Sequence, residues 1–518
     1  MLTRIGYKAT WISRRIGDMR VGILDILALP SQRPVDSAYH FLLTKQWASL
    51  TPQAISVWCR RMGHETFYRP YYGVGDPGRQ LPADLDLVFI SCYTQASALA
   101  YALAKKYGLE GIRTVIGGPH ARAFPADCLR FFDLVVKECD QSLITDILAS
   151  RFRPSSIISS ARPFEEVPLI EERMPELRTS AFLFSRWRYR STTIPLLASV
   201  GCPYSCDFCV DWDNPYRQLS LDRLATDLQY LSTHLRGTLF GFHDPNFAVK
   251  FDQVLDVLES IPPEARSPYV MESSLSILRG SRVERLRATR CVLAAPGIES
   301  WKDYSRKAGA GHRTGREKLD RLVEQFEHLH ENVACLQANF MFGLDCDAGE
   351  EPVELTKEFI SRAPFVWPTI NIPVPFAGTP LYDQYAASGR ILWSMPFSFY
   401  YAPYLVTTLK NYETVTFYEK LIDLLEHATS PEILRRRLGG SESRAVKLAQ
   451  WVRTASSRAA IKGYRQILEM LRTDSQFRAY HEGLTDVLPE FYHQQYERML
   501  GHYAPLMTRQ DRIPVLTG

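Results

Sequence analysis

From Arg20 onward the chain alternates short apolar runs with amphipathic stretches. Val21–Leu27 is an apolar run closed off by Pro30, and Pro52–Met62 has helical spacing and stops at Gly63. Leu85–Ser91 reads as a buried strand, followed by the Ala-rich helix Ala96–Tyr107 with Gly108 as its stop. Thr114–Gly118 and Leu134–Lys137 are two further strands, the second leading into a helix through Leu148. Strands alternating with helices of this length predict an α/β region over residues 20–150, built on a doubly wound parallel sheet. Ligands of such sheets bind outside the carboxyl ends of the strands, where Gly117-Gly118-Pro119-His120 falls.

Residues 151–190 hold Pro154, Pro163, Pro168 and Pro175 with little periodicity and read as a connector, ending on the aromatic and basic stretch Phe182–Arg190. Ile194–Val200 is an apolar strand, Leu221–Leu235 a helix and Thr238–Phe242 another strand. This alternation, continued over 191–400, predicts a partial (β/α) barrel of the TIM type, whose loops gather at one mouth. From Tyr401 to 518 the pattern turns helical, with Val415–His427, Arg444–Leu471 and Pro489–Leu500 as the helices. Two arrangements of that region are open: a cap over the barrel mouth that shapes a substrate pocket, or packing on the barrel flank.

A chain of 518 residues is too long for one ordinary core, so several domains are expected. Charge is nearly balanced, 61 basic against 57 acidic residues, and no basic tract is expected to stand clear of compensating acids, so nothing demands nucleic acid as a partner. No window approaches the roughly 18–20 continuous apolar residues of a membrane span, which excludes an integral membrane segment. Residues 1–19 carry Arg4, Lys8, Arg14 and Arg15 without an apolar stretch and read as a tail. Seven of the ten cysteines are scattered without a framework spacing, which points to a reduced, cytoplasmic setting.

The other three are not scattered. Cys202, Cys206 and Cys209 lie in Gly201-Cys-Pro-Tyr-Ser-Cys-Asp-Phe-Cys209, a CxxxCxxC run directly after a strand. Soft thiolates on one short loop select an iron–sulfur cluster or zinc. Zinc closes a structural site with four protein ligands, and no second CxxC or Cys/His knuckle lies nearby. Three thiolates on a four-iron cluster leave one iron open for a small molecule.

This loop resembles that of the radical S-adenosylmethionine (SAM) enzymes. The resemblance implies a [4Fe-4S] cluster whose open iron chelates the methionine end of SAM, one-electron cleavage to a 5′-deoxyadenosyl radical, and an electron donor such as flavodoxin or ferredoxin. Further stretches match in order. Phe242-His-Asp-Pro-Asn-Phe247, Tyr269–Ser274, Pro296-Gly-Ile-Glu-Ser300, Asn339–Leu344 and Pro373–Tyr382 resemble successive strand ends of that barrel. What they imply is Phe208 packed over the cluster, His243 and Asp244 beside the methionine end of SAM, and Glu272 and Glu299 at its amine or ribose.

Val115-Ile-Gly-Gly-Pro-His120 and Asp133–Asp140 resemble the cobalamin-binding-like, Rossmann-like domain that precedes many such barrels. This implies cobalamin contacts from Gly117, Gly118, His120 and Glu138. The usual Gly-Glu-Gly-Glu is Lys137-Glu138-Cys139-Asp140 here, and no Asp-x-His-x-x-Gly offers an axial histidine. The activity implied is hydrogen abstraction from a small-molecule or lipid-like substrate with cobalamin-dependent methyl transfer to an unactivated carbon. The alternatives are radical cyclisation or rearrangement without cobalamin, or a non-catalytic iron–sulfur or zinc module. A methylthiotransferase is disfavoured, because the N-terminal cysteine set and the RNA-binding tail of that family are missing.

Overall fold

The structure, a computed structural model, describes residues 19–30, 48–182, 193–440 and 443–515. The N-terminal tail and nearly all of the Phe182–Arg190 stretch lie outside the described residues. Among the described residues, two parallel sheets organise the chain.

The first sheet comprises β1 (Arg20–Ile26), β2 (Glu65–Tyr71), β3 (Leu87–Cys92), β4 (Arg113–Gly117), β5 (Leu134–Val136) and β6 (Ser156–Ile158). They pair in parallel in the order β2-β1-β3-β4-β5-β6. Every residue of β1 from Val21 to Ile26 is buried, as expected for a parallel strand covered on both faces. One face packs on helix Leu50–Arg61 through Trp58, and the other on helix Ser97–Leu109. Fully burying such a side chain contributes about 1.5–3 kcal/mol. The sequence pattern did not disclose β2 and β6. Both are edge strands: β2 tolerates Pro70 for that reason, and β6 is three half-exposed residues inside the expected connector. The chain runs outward from β1 to β2 and returns to β3, so a crevice opens at the carboxyl ends of β1 and β3.

The second sheet is the expected partial barrel. It uses β7 (Ile194–Leu196), β10 (Phe240–Phe242), β11 (Tyr269–Met271), β12 (Cys291–Ala294), β13 (Gly297–Glu299), β14 (Cys335–Met341) and β15 (Val366–Asn371). Both β12 and β13 pair with β14, so they form one interrupted strand. Helices Leu221–His234, Phe251–Glu259, Ser281–Ala288, Gly315–His330 and Glu351–Arg362 fill the intervals. A small antiparallel pair, β8 (Ser199–Val200) with β9 (Arg217–Gln218), stands apart at the foot of the cysteine loop.

The C-terminal region takes the flank arrangement. Helix Thr414–Ala428 packs on the barrel helix Glu351–Arg362, and helix Glu490–Leu500 packs on Ser97–Leu109 of the first sheet. Beyond it, Gly78 N–H donates to the Tyr503 hydroxyl at 3.0 Å, Lys105 pairs with Asp511 at 2.5 Å, and Val515 N–H donates to Asp127 at 2.8 Å. The last segment therefore straps the first domain to the barrel.

Candidate active site

The cysteine loop is a closed excursion. The β8–β9 pair joins its two ends, and Cys202 N–H donates to the Asn214 carbonyl at 3.0 Å. Gly201 makes the entry possible: its φ is +69°, and a Cβ there would stand 2.6 Å from the Asn214 oxygen and overlap that of Pro215. Below the loop, the buried Asp244 carboxylate accepts from Ala198 N–H at 3.0 Å and from the Ser199 hydroxyl at 2.6 Å. From the far end of the barrel, Leu381 N–H donates to the Asp207 carbonyl at 3.0 Å, and the Trp212 indole donates to the Gly378 carbonyl at 2.6 Å. The Pro373–Tyr382 run thus grips the loop from above. The Tyr304 hydroxyl donates to the Asp207 carboxylate at 2.5 Å, and Tyr204 bonds Ser276.

Cys202 is buried and Cys206 and Cys209 are half-buried. All three act on Lys307: burial alone would lower its ammonium, but Cys206, Cys202, Cys209 and Glu299 outweigh that and the net shift is upward. One cation therefore faces all three thiols, and Ser305 lies 3.7 Å from the Cys206 sulfur. Among the described residues no three His, Cys, Asp or Glu side chains are arranged to hold a single metal ion. A four-iron cluster asks for something else, because each thiolate takes a different iron. Three thiols near one cation, with no fourth protein ligand among the described residues, fit that group.

Glu299 ends β13 with φ +68°, a conformation a non-glycine residue adopts only under constraint. Its carboxylate folds back over Gly297, where a Cβ would overlap Oε1. Burial, opposed by Lys307 and Lys318, pushes its carboxyl up to about 7. Glu272 has an exposed side chain, yet surrounding protein still raises its carboxyl, which is the condition of a group inside a concave, wetted lumen. Phe208 stacks with Tyr304 at 6.0 Å beside the cluster loop. Asp244 differs from expectation: its two oxygens are turned to the backbone and hydroxyl of Ala198 and Ser199, so it positions the loop rather than facing the mouth. His243 lines the cavity described next, and burial, then Arg173, lowers it to about 4, so it is neutral.

A cavity of about 900 Å³ occupies the crevice at the carboxyl ends of β1 and β3. Gly117, Gly118 and Glu138 line one side, and Gly201, Asp211 and His243 line the other. Its deep wall is apolar, made by Ile23, Phe89, Val115 and Val136. Gly118 has φ +89°, and a Cβ there would stand 2.9 Å from the Ser91 hydroxyl and 3.2 Å from the Cys92 carbonyl. Glu138 pairs with Arg122 at 3.2 Å, and Arg122 also donates to Asp211 at 3.0 Å. Behind the lining residue Ser49, the buried Asp25 accepts from its N–H at 2.9 Å, and burial pushes the Asp25 carboxyl up to about 7. The turn, the apolar wall and the lining acid suit a large planar cofactor such as cobalamin.

His120 does not reach this cavity. It is fully buried, with Nε2 2.6 Å from the Tyr101 hydroxyl, which itself donates to Asp127 at 2.7 Å. The ring packs against Phe124 and Phe397, and burial lowers it to about 3. Its expected cofactor contact is corrected to a core role. Sequence reasoning also passed over Arg122, Asp211, Tyr304, Ser305 and Lys307. The usable signal was position: each lies on a loop or helix start at a strand's carboxyl end.

The fold and the cysteine loop fit the expectation of a radical SAM enzyme with an N-terminal cobalamin-binding-like domain, and the similarities that follow agree with it. No family model matches the chain. It is 26% identical over 377 residues to a bacteriochlorophyllide d C-8(2)-methyltransferase of Chlorobaculum tepidum, covering 68% of this chain and 80% of that protein. It is 24% identical over 292 residues to a hopanoid C-2 methylase of Rhodopseudomonas palustris, covering 54% of this chain and 53% of that protein. Its fold is similar to that of TsrM from Kitasatospora setae, a radical SAM methyltransferase solved with cobalamin and a [4Fe-4S] cluster bound. The TM-score is 0.50 at 15% identity, covering 72% of this chain and 78% of that one.

Proposed function

We propose that this protein is a cobalamin-dependent radical SAM C-methyltransferase acting on a large, mostly apolar small molecule or lipid-like substrate. The observation that carries the reading is the shared cavity: the crevice of the first sheet is closed on its other side by the cysteine loop. The two cofactors of such an enzyme need that proximity. The cluster with SAM supplies hydrogen abstraction, and cobalamin supplies the methyl group.

Each part of the chain then has a task. Cys202, Cys206 and Cys209 hold the cluster, with Lys307 balancing its charge. Glu299 and Glu272 bind SAM through its ribose or amine, and Phe208 backs the adenine. Gly117 and Gly118 let cobalamin approach the backbone, with Glu138 on its rim. His243 faces the same space as a neutral side chain. The apolar methyl acceptors named by the two relatives support an apolar substrate here. Residues 20–158, 191–400 and 401–518 serve as cofactor domain, barrel and strap, with 159–190 as the connector, since β6 extends the first domain past residue 150. The electron comes from a small reductant such as flavodoxin or ferredoxin, in a reduced, cytoplasmic setting.

The test is metal and cofactor content after anaerobic production with cobalamin supplied, beside a Cys202→Ala/Cys206→Ala/Cys209→Ala variant. About four irons and near-stoichiometric cobalamin in the parent, with the iron lost in the variant, are expected. Iron without cobalamin would replace methyl transfer by cyclisation or rearrangement, and no iron in either protein would overturn the reading.

A further inference from the structure

The whole-chain charge balance hides one strongly uneven stretch. Between Ser443 and Leu468 the sequence has Arg444, Lys447, Arg453, Arg458, Lys462 and Arg465 and neither Asp nor Glu. Arg465 pairs with Glu426 at 2.6 Å, but the amino-terminal part of the stretch departs from the expectation that no basic tract stands clear of compensating acids. The stretch forms most of helix Arg444–Thr473.

The helix divides its charges between two faces. Inward, Arg453 lies over the Trp367 ring at 4.7 Å; Arg458 is exposed, and its guanidinium donates to the Thr429 carbonyl at 2.7 Å. Gln450, Thr454 and Ile461 are buried on the same side. Outward, steps of three and four residues put Arg444, Leu448, Trp451, Ala455 and Lys462 along one line. Leu448 is 63% exposed and Trp451 54% exposed, in contrast to Ile461, Ile467, Leu468 and Leu471, which the same helix buries. Among the described residues no carboxylate pairs with Arg444, Lys447 or Lys462. The adjoining helix Pro431–Gly439 adds exposed Arg435 and Arg436, likewise without an acidic partner among the described residues.

An outward stripe with an apolar centre and a basic rim is the pattern of a helix that lies in the headgroup layer of a bilayer. Its charge is complementary to anionic lipid, and its exposed Leu and Trp have the depth to reach the acyl boundary. Nucleic acid would use the charges but would leave Leu448 without a purpose. We propose that this face docks the protein reversibly on an anionic membrane surface. The face lies at the amino ends of β14 and β15, where Arg453 meets Gln337 and Trp367. Docking there leaves the barrel mouth clear for a reductant.

The experiment is co-sedimentation of the intact protein with phosphatidylcholine vesicles, with and without phosphatidylglycerol, at low and high salt. Expected is binding to the anionic vesicles only, lost at high salt, with quenching of tryptophan emission by brominated lipid. Arg444→Glu/Lys447→Glu should lower partitioning about tenfold or more. Trp451→Ser should remove the quenching while iron content and circular dichroism match the parent. A parent that stays in the supernatant with anionic vesicles overturns the proposal. So does binding that is indifferent to both variants, or retention of RNA in place of vesicles. Because iron and cobalamin content are read separately, failure here is distinguishable from failure of the methyltransferase reading.

Discussion

Arg122, on the short helix that begins at the Gly117-Gly118 turn, crosses from one domain to the other and donates to Asp211, two residues beyond Cys209. The Asp211 backbone in turn acts to lower the Cys209 thiol, against the rise that burial causes. A side chain on the rim of the cavity is thus linked through one residue to Cys209. Hydrogen bonds and nearby charge are what set the potential of an iron–sulfur cluster.

Arg122→Met should leave iron content unchanged and weaken cobalamin retention by about five- to tenfold, the size of a half-buried ion pair. Removing a positive charge beside the cluster should also move its midpoint potential more negative, read by electron paramagnetic resonance in a redox titration. An unchanged potential would show that the bridge serves packing alone.

Gly201→Ala attacks the loop itself. The new methyl meets the Asn214 and Pro215 carbonyls, and the positive φ adds strain, together about 1–3 kcal/mol. The expected result is a protein that folds with its sheet intact by circular dichroism but binds markedly less iron.

Gly297→Ala should spare the cluster and damage SAM binding. The methyl takes the space of the Glu299 carboxylate, so SAM affinity should fall about ten- to a hundredfold at constant iron content. Glu299→Gln should reproduce most of that loss by isothermal titration. A Gly297→Ala protein with parental SAM affinity would place Glu299 outside the SAM site.

Asp25 gives the chain a pH dependence. Its folded carboxyl holds a proton to about pH 7, whereas an unfolded aspartic acid releases it near 4. The native state is therefore favoured fully below the unfolded value and loses stability as pH rises between the two, by about 4 kcal/mol at most. In urea unfolding followed across that interval, the parent should lose stability relative to Asp25→Asn. Parallel pH profiles would mean that Asp25 ionises freely in the fold.

Much of this site was legible before any coordinates. The apolar runs at β1, β3, β4 and β5 announce a parallel sheet because strands covered on both faces have no polar face to interrupt them. The three cysteines announce a cluster because thiolates at that spacing have little other use. The rest was decided by packing. At β2 and β6 the edge position, where one side of the ladder is unpaired, excuses Pro70 and exposed polar residues. His120 sits in a glycine turn that opens on the cavity, yet its ring turns away because Tyr101 and Phe397 offer a better-packed place. Asp244 follows a strand end facing the mouth, and the backbone of Ala198 claims it first. Lys307 belongs to the cysteine site only through the return of the barrel, which no local pattern encodes.

The strap at Tyr503 and Asp511 grips Asp76 and Lys105, partners more than four hundred positions earlier in the chain. Contacts of that separation form last, after the loop-closure entropy of the intervening segments has been met by their own folding. The first sheet is complete in sequence by Ile158, but the wall that the cysteine loop gives its crevice, and the strap, come later in the chain. A cofactor held in that crevice would therefore meet its complete wall only after the cysteine loop has been added. A chain stopped short of Tyr503 would carry both halves of the machinery and keep Arg122–Asp211 and Phe124–Phe397 between them, but lose the clasp on Asp76 and Lys105.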